Sequence, residues 1–218
     1  MISGPYVINL EHRTDRWTSI VKGFSAKNIT PLRIDAIYRK GDGATGCLES
    51  HIKALKATNN KGKEGATGAT AGATWICEDD CIFLVDKAAL DTIISSFMVS
   101  DAKVLCLGYN SRKDIPYSTV FRRTLDNQTC TSYIVKESFR NHLIKFWESV
   151  LVCRKAKTKH IYKDIYTNLK VHQAEYECTD QCWKVLQQDH IFVIPDIRCA
   201  IQKASYSDIE EEHVNYGL

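Results

Sequence analysis

The segment TWICEDD (74–80) carries the residues of this sequence with the clearest capacity for chemistry. An apolar, strand-forming run ends there in three adjacent carboxylates, Glu78, Asp79 and Asp80. Like charges held this close raise each other's pKa unless a cation neutralises them. At the end of a strand in an α/β sheet they would lie where such folds bind ligands. Carboxylate oxygens there suit Mg²⁺ or Mn²⁺, which commonly bridge a protein carboxylate to a substrate diphosphate.

Strand geometry limits how many of these carboxylates can face one ligand. Side chains alternate along a regular strand, so Glu78 and Asp80 would point one way and Asp79 the other, unless a turn follows. We therefore expect Asp80 to be the chief metal ligand, with Asp79 or a water beside it and Glu78 nearer the ribose of a nucleotide. The competing interpretation is that the carboxylates cap a helix or pair with lysines.

Two arginines follow the first predicted strand. In YVINLEHRTDR, Arg13 and Arg16 come just after the apolar run 6–10. Because the carboxyl ends of parallel strands meet at one edge of a sheet, their guanidinium groups would lie near the acidic segment and could bind phosphates bidentately. Alone they would be surface arginines at the start of a helix, but together with the carboxylates they favour diphosphate chemistry.

Hydrophobic periodicity predicts strands that alternate with helices. The expected strands are 6–10, 31–38, 74–84, 103–109 and 191–197. A helical stretch is expected to follow the polar segment 11–17 and to end at about Gly23, and further helices are expected at 47–56, 86–98, 137–152 and 179–188. Residues 39–46 should form a loop, and two short strands within 119–136 could pair antiparallel at a sheet edge. The pattern predicts an α/β fold, with a mostly parallel central sheet flanked by helices and a small antiparallel extension.

Composition indicates an ordinary globular protein. The chain has 218 residues, of which 44% are hydrophobic and 25% charged, and we expect a single domain. A net charge of +3 is too mild to indicate nucleic-acid binding. We expect a cytoplasmic protein, because no segment resembles a transmembrane span or a signal peptide. The nine cysteines include no C-x-x-C pair, which favours reduced, buried thiols over a zinc site.

Three segments resemble the glycosyltransferase family 25 group, which includes lipopolysaccharide and collagen galactosyltransferases. They are YVINLEHRTDRW, DGATGCLESHIKAL and WICEDD, which follow in the family's order at similar spacing. The later segment CTSYIVKESFRNHL is similar to a Tyr-containing strand and helix of the family. The resemblance is clear through the acidic segment and weaker towards the carboxyl terminus. A small chain of this type also resembles glycosyltransferase domains encoded by large algal viruses.

The resemblance implies a GT-A fold in which 1–110 form a nucleotide-binding half and 111–218 an acceptor-side half of one domain. It implies a UDP-hexose donor, a glycan or glycoprotein hydroxyl as acceptor, and Mn²⁺ or Mg²⁺ held by the acidic segment. It also implies a nucleotide site lined by Asn9, Leu10 and Arg13. Asp35 would then lie near the base, and His51 would orient residues 42–47.

Transfer with inversion needs a carboxylate that deprotonates the acceptor hydroxyl. Asp180, at the start of the predicted helix 179–188, is our candidate for this base. We expect the helix N-terminus to lower its pKa. The competing interpretation is an ordinary helix N-cap, and transfer with retention would need no such base.

Two other functions stay open. A sugar-1-phosphate nucleotidyltransferase would share a similar core, but such enzymes usually carry a Gly-rich loop after the first strand, and EHRTDR has no glycine. A non-catalytic sugar-nucleotide-binding module would keep the fold without turnover, although crowded carboxylates are costly to keep without a use. The chain could also be one domain of a longer protein.

Overall fold

The fold comes from a computed structural model that describes residues 1–57, 72–157, 178–207 and 212–214, with 205–207 and 212–214 described by their backbone only. The helices are α1 (Thr14–Ser25), α2 (Gly43–Ala57), α3 (Lys87–Val99), α4 (Glu137–Ala156), α5 (Thr179–Cys182) and α6 (Lys184–Asp189). The strands are β1 (Ile2–Asn9), β2 (Leu32–Asp35), β3 (Ala73–Glu78), β4 (Cys81–Phe83), β5 (Val104–Cys106), β6 (Asp114–Pro116), β7 (Phe121–Thr124), β8 (Ser132–Lys136), β9 (Phe192–Pro195), β10 (Ala200–Gln202), β11 (Ser205–Ser207) and β12 (Glu212–Val214). None of the described helices is long and apolar enough to cross a bilayer.

An eight-stranded mixed sheet lies at the centre, in the order β2–β1–β3–β8–β5–β9–β7–β6. β2, β1 and β3 run parallel, as do β5 and β9. β8 is antiparallel to both of its neighbours, and β7 and β6 extend the far edge in antiparallel fashion. The pairs β4–β10 and β11–β12 form two small antiparallel sheets. The predicted α/β architecture is therefore confirmed, with a larger antiparallel part than the sequence indicated.

Alternation along the strands gives the sheet two apolar faces. On β1, Tyr6 and Ile8 belong to one buried cluster and Val7 to the other. The first cluster packs against α2, α4, α5 and α6, and the second packs against α1 and α3. Both faces of the sheet are thus covered by helices, as expected for parallel strands that are apolar on both sides.

The position of β8 corrects one expectation from the sequence. The two strands within 119–136 do not pair with each other, because β7 pairs with β6 and β9 whereas β8 pairs with β3 and β5. Four of the five β8 residues are buried, as a central strand requires. Since β8 and β9 lie beyond residue 110, the two predicted halves of the chain share one sheet.

Helix α2 begins at Gly43, earlier than the predicted Cys47. The Asp42 carboxylate accepts hydrogen bonds from the Thr45 backbone N–H, at 3.3 Å, and from its hydroxyl, at 2.5 Å. Arg154 of α4 donates to the same two residues, at 2.6 Å to Asp42 and 2.5 Å to the Thr45 hydroxyl. A carboxylate that accepts the backbone N–H three residues on is an N-cap interaction, which explains the earlier start.

Close backbone packing fixes the first turns of α2 against the segment that follows β2. A Cβ added at Gly46 would lie 2.4 Å from the Ile37 carbonyl oxygen. The Ser50 hydroxyl accepts a hydrogen bond from the Ile37 N–H, at 2.8 Å, and donates to the Gly46 carbonyl, at 2.6 Å. A residue larger than glycine at position 46 would push these two elements apart.

The close contact at Gly46 predicts that alanine will affect stability differently at Gly46 and at Gly23. We expect Gly46→Ala to lower the free energy of unfolding by about 1–3 kcal/mol, as overpacking does. Gly23→Ala is the control, because a Cβ at that position in α1 would meet no atom of the described residues within 4 Å. It should raise the free energy of unfolding by up to about 1 kcal/mol, since alanine is the better helix former. Urea unfolding measures both, and equal effects of the two substitutions would contradict the close contact at Ile37.

Candidate functional site

A cleft opens at the carboxyl ends of β1, β2 and β3. The strand register sets Asn9 opposite Asp35 and Ile8 opposite Glu78, so the three strands end at one edge of the sheet. The cleft encloses about 850 Å³ when the space of its open mouth is included. The apolar residues of its lining include Ile8, Leu10, Ala36, Ile37 and Tyr38, and the polar residues include Arg16, Arg39, Glu78, Asp79, Asp80, Gln202 and Lys203.

The acidic segment, Glu78, Asp79 and Asp80, lines the cleft because the chain turns after β3, and we call these three residues the acidic turn. β3 ends at Glu78, and Asp79 and Asp80 form the turn that leads into β4. Because the turn breaks the alternation of the strand, all three carboxylates line the cleft. Both aspartates are only 8% exposed. The sequence-predicted cluster therefore exists, and its two aspartates are almost fully removed from water, whereas the Glu78 side chain is partly exposed.

Arg16 supplies positive charge next to the two aspartates of the acidic turn. Its Nη1 donates to Asp79 Oδ1 at 3.0 Å and to Asp80 Oδ2 at 3.4 Å. The side-chain amide of Asn9 donates to the other oxygen of Asp79 at 2.6 Å. Burial raises the pKa of Asp79, and the charge of Arg16 and the bond from Asn9 oppose that rise. Both oxygens of Asp79 are thus already held by the protein.

Asp80 is held less completely. Its Oδ2 also accepts a hydrogen bond from the Gln202 side chain at 3.2 Å, and its carbonyl accepts one from the Lys203 N–H at 2.8 Å. Its Oδ1 is buried and has no hydrogen-bond partner among the described residues. Burial, and then the charges of Glu78 and Asp79, raise the pKa of Asp80 to about 7. A buried carboxylate oxygen without a donor is costly, and a bound cation would relieve that cost.

The donor set therefore fits a hard divalent cation, chiefly through Asp80. Mn²⁺ and Mg²⁺ favour carboxylate oxygens, and Asp80 Oδ1 is one that the described protein atoms leave open. Asp79 could share the ion only while it also keeps or exchanges its bonds to Asn9 and Arg16. The expected order, with Asp80 as the chief ligand and Asp79 beside it, agrees with this arrangement and stays a prediction.

His51 connects the acidic turn to the core. The fully buried ring lies with Nε2 at 3.1 Å from Glu78 Oε1 and Nδ1 at 3.1 Å from the Tyr133 hydroxyl. From the family resemblance we expected His51 to orient residues 42–47, whereas its described hydrogen bonds are to Glu78 and Tyr133. The reason is that α2 begins at Gly43, so the segment is already helical and is fixed by its own cap.

Four of the predicted site residues, Asn9, Arg13, Asp35 and Asp180, are not among the described residues that line the cleft. Asn9 lies beneath it, fully buried, as the donor to Asp79. Arg13 precedes α1 and forms an ion pair with Asp15, at 3.1 Å. The side chain of Asp35 is 73% exposed and lies 3.6 Å from Arg33. Leu10, Arg16, His51 and Glu78 do line the cleft with the two aspartates.

The pKa of Asp180 is shifted in the opposite direction to the one expected from the sequence. Burial, and then the charge of Glu78, raise the pKa of Asp180 to about 7, where a lowered value was predicted. The predicted helix 179–188 is two short helices, α5 and α6, and a four-residue helix has too small a dipole to offset burial. Asp180 is not among the described residues that line the cleft, although it is close enough to feel the charge of Glu78.

Several cleft residues were missed from sequence. Gln202 and Lys203 reach the acidic turn because β10 pairs with β4, with Gln202 opposite Cys81. Long-range strand pairing of this kind leaves no local pattern to read. Cys47 was missed despite a usable signal, since it precedes His51 by four residues and so shares one face of α2 with it.

Comparisons with known proteins add little. No protein-family model and no curated protein sequence matches this chain. Among solved structures, the crystal structure of A197 from STIV aligns with 98% of this chain and 97% of that chain, at 10% identity and a TM-score of 0.44. A likeness at this level carries no functional inference.

The pKa of Asp80 predicts a pH-dependent cost to folding. Its ordinary value is 3.8 and its folded value about 7, so the folded protein binds more protons between these values and loses stability as pH rises through them. We expect Asp80→Asn to raise the free energy of unfolding of metal-free protein by about 1–3 kcal/mol near pH 8 and by little near pH 4. Urea unfolding in the presence of EDTA measures this difference.

A control separates this effect from the loss of any acidic group. Asp91 lies in α3, is 55% exposed and pairs with Lys87, so Asp91→Asn should give no gain near pH 8. An equal gain for Asp80→Asn at both pH values would contradict the raised pKa.

Proposed function

We propose that this protein is a metal-dependent glycosyltransferase of the GT-A type, similar to family 25. It would transfer a hexose from a UDP-sugar to a hydroxyl of a glycan or glycoprotein. The observation that carries the proposal is the acidic turn at a cleft beside the carboxyl ends of β1, β2 and β3, where the buried Oδ1 of Asp80 has no hydrogen-bond partner among the described residues. This edge of an α/β sheet is where nucleotides commonly bind.

The lining of the cleft offers the two kinds of surface that a sugar nucleotide needs, apolar residues and positively charged residues. Ile8, Leu10 and Ile37 offer apolar surface to a nucleoside. Arg16 and Lys203, which also line the cleft, carry the positive charge that binding of a diphosphate requires. Arg39 also lines the cleft, with its guanidinium held by Glu49 at 2.5 and 2.8 Å.

Asp80, with Asp79, would hold the divalent cation. When bound, Mn²⁺ or Mg²⁺ supplies positive charge that stabilises the departing nucleotide diphosphate. The work of this chain is to position the ligands: Arg16 and Asn9 fix Asp79, and His51 fixes Glu78 on the neighbouring side of the turn. Preorganised polar groups of this kind lower the barrier because they need not reorient during the reaction.

Asp180 is our candidate for the general base of an inverting transfer. Its carboxylate would take the proton of the acceptor hydroxyl while the hydroxyl oxygen attacks the donor sugar. A base is most effective when its pKa lies near the working pH, and burial brings the pKa of Asp180 to about 7. The raised pKa thus supports the assignment better than the lowered value expected from sequence.

Metal-dependent nucleotide binding is the first test. Calorimetric titration of UDP into the protein should show binding that needs Mn²⁺, and Asp80→Asn should abolish it because the chief metal ligand is lost. Asp91→Asn removes an exposed carboxylate and should bind UDP like the unchanged protein. UDP binding that is equal with and without Mn²⁺, or equal in Asp80→Asn, would contradict metal dependence.

The rate of UDP release from UDP-hexoses tests Asp180 as the general base. With a panel of UDP-hexoses, release of UDP should fall by about 10²–10⁴-fold in Asp180→Asn, while the Kd for UDP stays unchanged. In the unchanged protein the rate should rise with pH up to about 7, because Asp180 must be deprotonated to accept a proton. Asp189→Asn, at the exposed end of α6, is the matched control. Full activity of Asp180→Asn would show that another group, or none, serves as base.

The same assays distinguish the other two functions. Release of pyrophosphate from UTP and a sugar phosphate would indicate a nucleotidyltransferase. Binding of UDP-sugars with no turnover on any acceptor or water would indicate a non-catalytic binding module.

A further inference from the structure

We propose that Cys47, His51 and Glu78 form a second metal site, for zinc or a similar thiolate-preferring transition metal. This site is separate from the aspartate site and does not rest on the proposed function. Its ligand set combines a sulfur, an imidazole nitrogen and a carboxylate oxygen, a set that zinc accepts.

The backbone brings the three ligands together. Cys47 and His51 lie four residues apart on α2 and so share one face of the helix, and Glu78 lies opposite at the end of β3. The sulfur, ring nitrogen and carboxylate oxygen all lie within 4.8 Å of one another. Ligands around a tetrahedral zinc with bonds of about 2.0–2.3 Å lie roughly 3–4 Å apart. The cluster would therefore have to contract by about 1 Å at its widest pair.

Neighbouring groups already support two of the ligands. The Tyr133 hydroxyl lies 3.1 Å from His51 Nδ1, which leaves Nε2 directed at Glu78. The Thr179 hydroxyl donates a hydrogen bond to Cys47 Sγ at 3.6 Å. A hydrogen bond that orients the imidazole through its other ring nitrogen accompanies most histidines that bind metals in proteins. All three ligands also line the cleft, so a fourth coordination position would open towards it.

The chemistry of its ligands distinguishes this site from the site formed by Asp79 and Asp80. Sulfur and imidazole ligands select zinc and its relatives, whereas the carboxylates of Asp79 and Asp80 suit Mg²⁺ or Mn²⁺. Burial, and then the charge of Glu78, raise the pKa of the Cys47 thiol well above its usual value, so without an ion the thiol keeps its proton. Binding would break the S–H bond, form a sulfur–metal bond and release the proton to solvent.

Cobalt(II) is the probe that reports a sulfur ligand directly. The full chain, without a histidine tag, is freed of metal with EDTA, reduced with a phosphine and titrated with Co²⁺ alone. We expect about one equivalent to produce a thiolate-to-cobalt charge-transfer band and the visible bands of a four-coordinate ion, and Zn²⁺ to displace it. Proton release of about one per ion should accompany binding.

Matched variants identify the residues that give rise to the charge-transfer band. Cys47→Ser should remove it, whereas Cys153→Ser should keep it, because Cys153 is a partly buried thiol near the end of α4. His51→Gln should weaken binding by at least the roughly 100-fold that loss of a supporting residue can cost. Circular dichroism verifies that each variant is folded, and if Cys47→Ser does not fold, His51→Gln decides.

Asp80→Asn separates this inference from the proposed function. It should leave the charge-transfer band unchanged, since Asp80 is not one of the three ligands of this site and no UDP is present in the titration. Absence of the band in the unchanged protein, its persistence in Cys47→Ser, or cobalt binding that needs Asp80 and not Cys47 would each overturn the proposal.

Discussion

The contact of the Arg16 guanidinium with Asp79 and Asp80 is the interaction on which the rest of the site depends. Two neighbouring carboxylates that are each 8% exposed cannot stay charged in a low-dielectric environment without a cation beside them. Arg16 brings that charge from the first turn of α1. The position of α1 against the end of β3 is therefore set by electrostatics as well as by apolar packing.

The other donors extend this constraint to distant parts of the chain. Asn9 at the end of β1 and Gln202 at the end of β10 each supply one hydrogen bond to the same turn. Their positions depend on the pairing of β1 with β3 and of β10 with β4. On the opposite side, His51 links Glu78 to Tyr133, whose ring contacts Trp147 and Trp183. The cleft is thus tied to the aromatic core between the sheet and α4.

The sequence predicted those features that leave a local pattern. The acidic turn and Arg16 follow apolar runs, and parallel strands bring such strand ends to one edge, so their meeting could be expected. The position of β8 could not, because pairing order depends on packing across the whole sheet. The pKa of Asp180 was predicted in the wrong direction, because burial depends on tertiary contacts that a helix N-cap motif does not contain. The hydrogen bonds that Gln202 and Lys203 donate to Asp80 could not be predicted either, because these residues lie more than a hundred positions further along the chain.

The backbone bond from the Lys203 N–H to the Asp80 carbonyl gives the site a built-in reporter. This amide, 2.8 Å from the carbonyl oxygen, is protected from solvent exchange only while the β10 segment stays joined to the acidic turn. Its deuterium uptake would therefore measure the local opening free energy of this one junction, separately from global unfolding. A ligand that binds the closed turn more tightly than the open one slows that exchange in proportion to its preference, whatever its chemical identity.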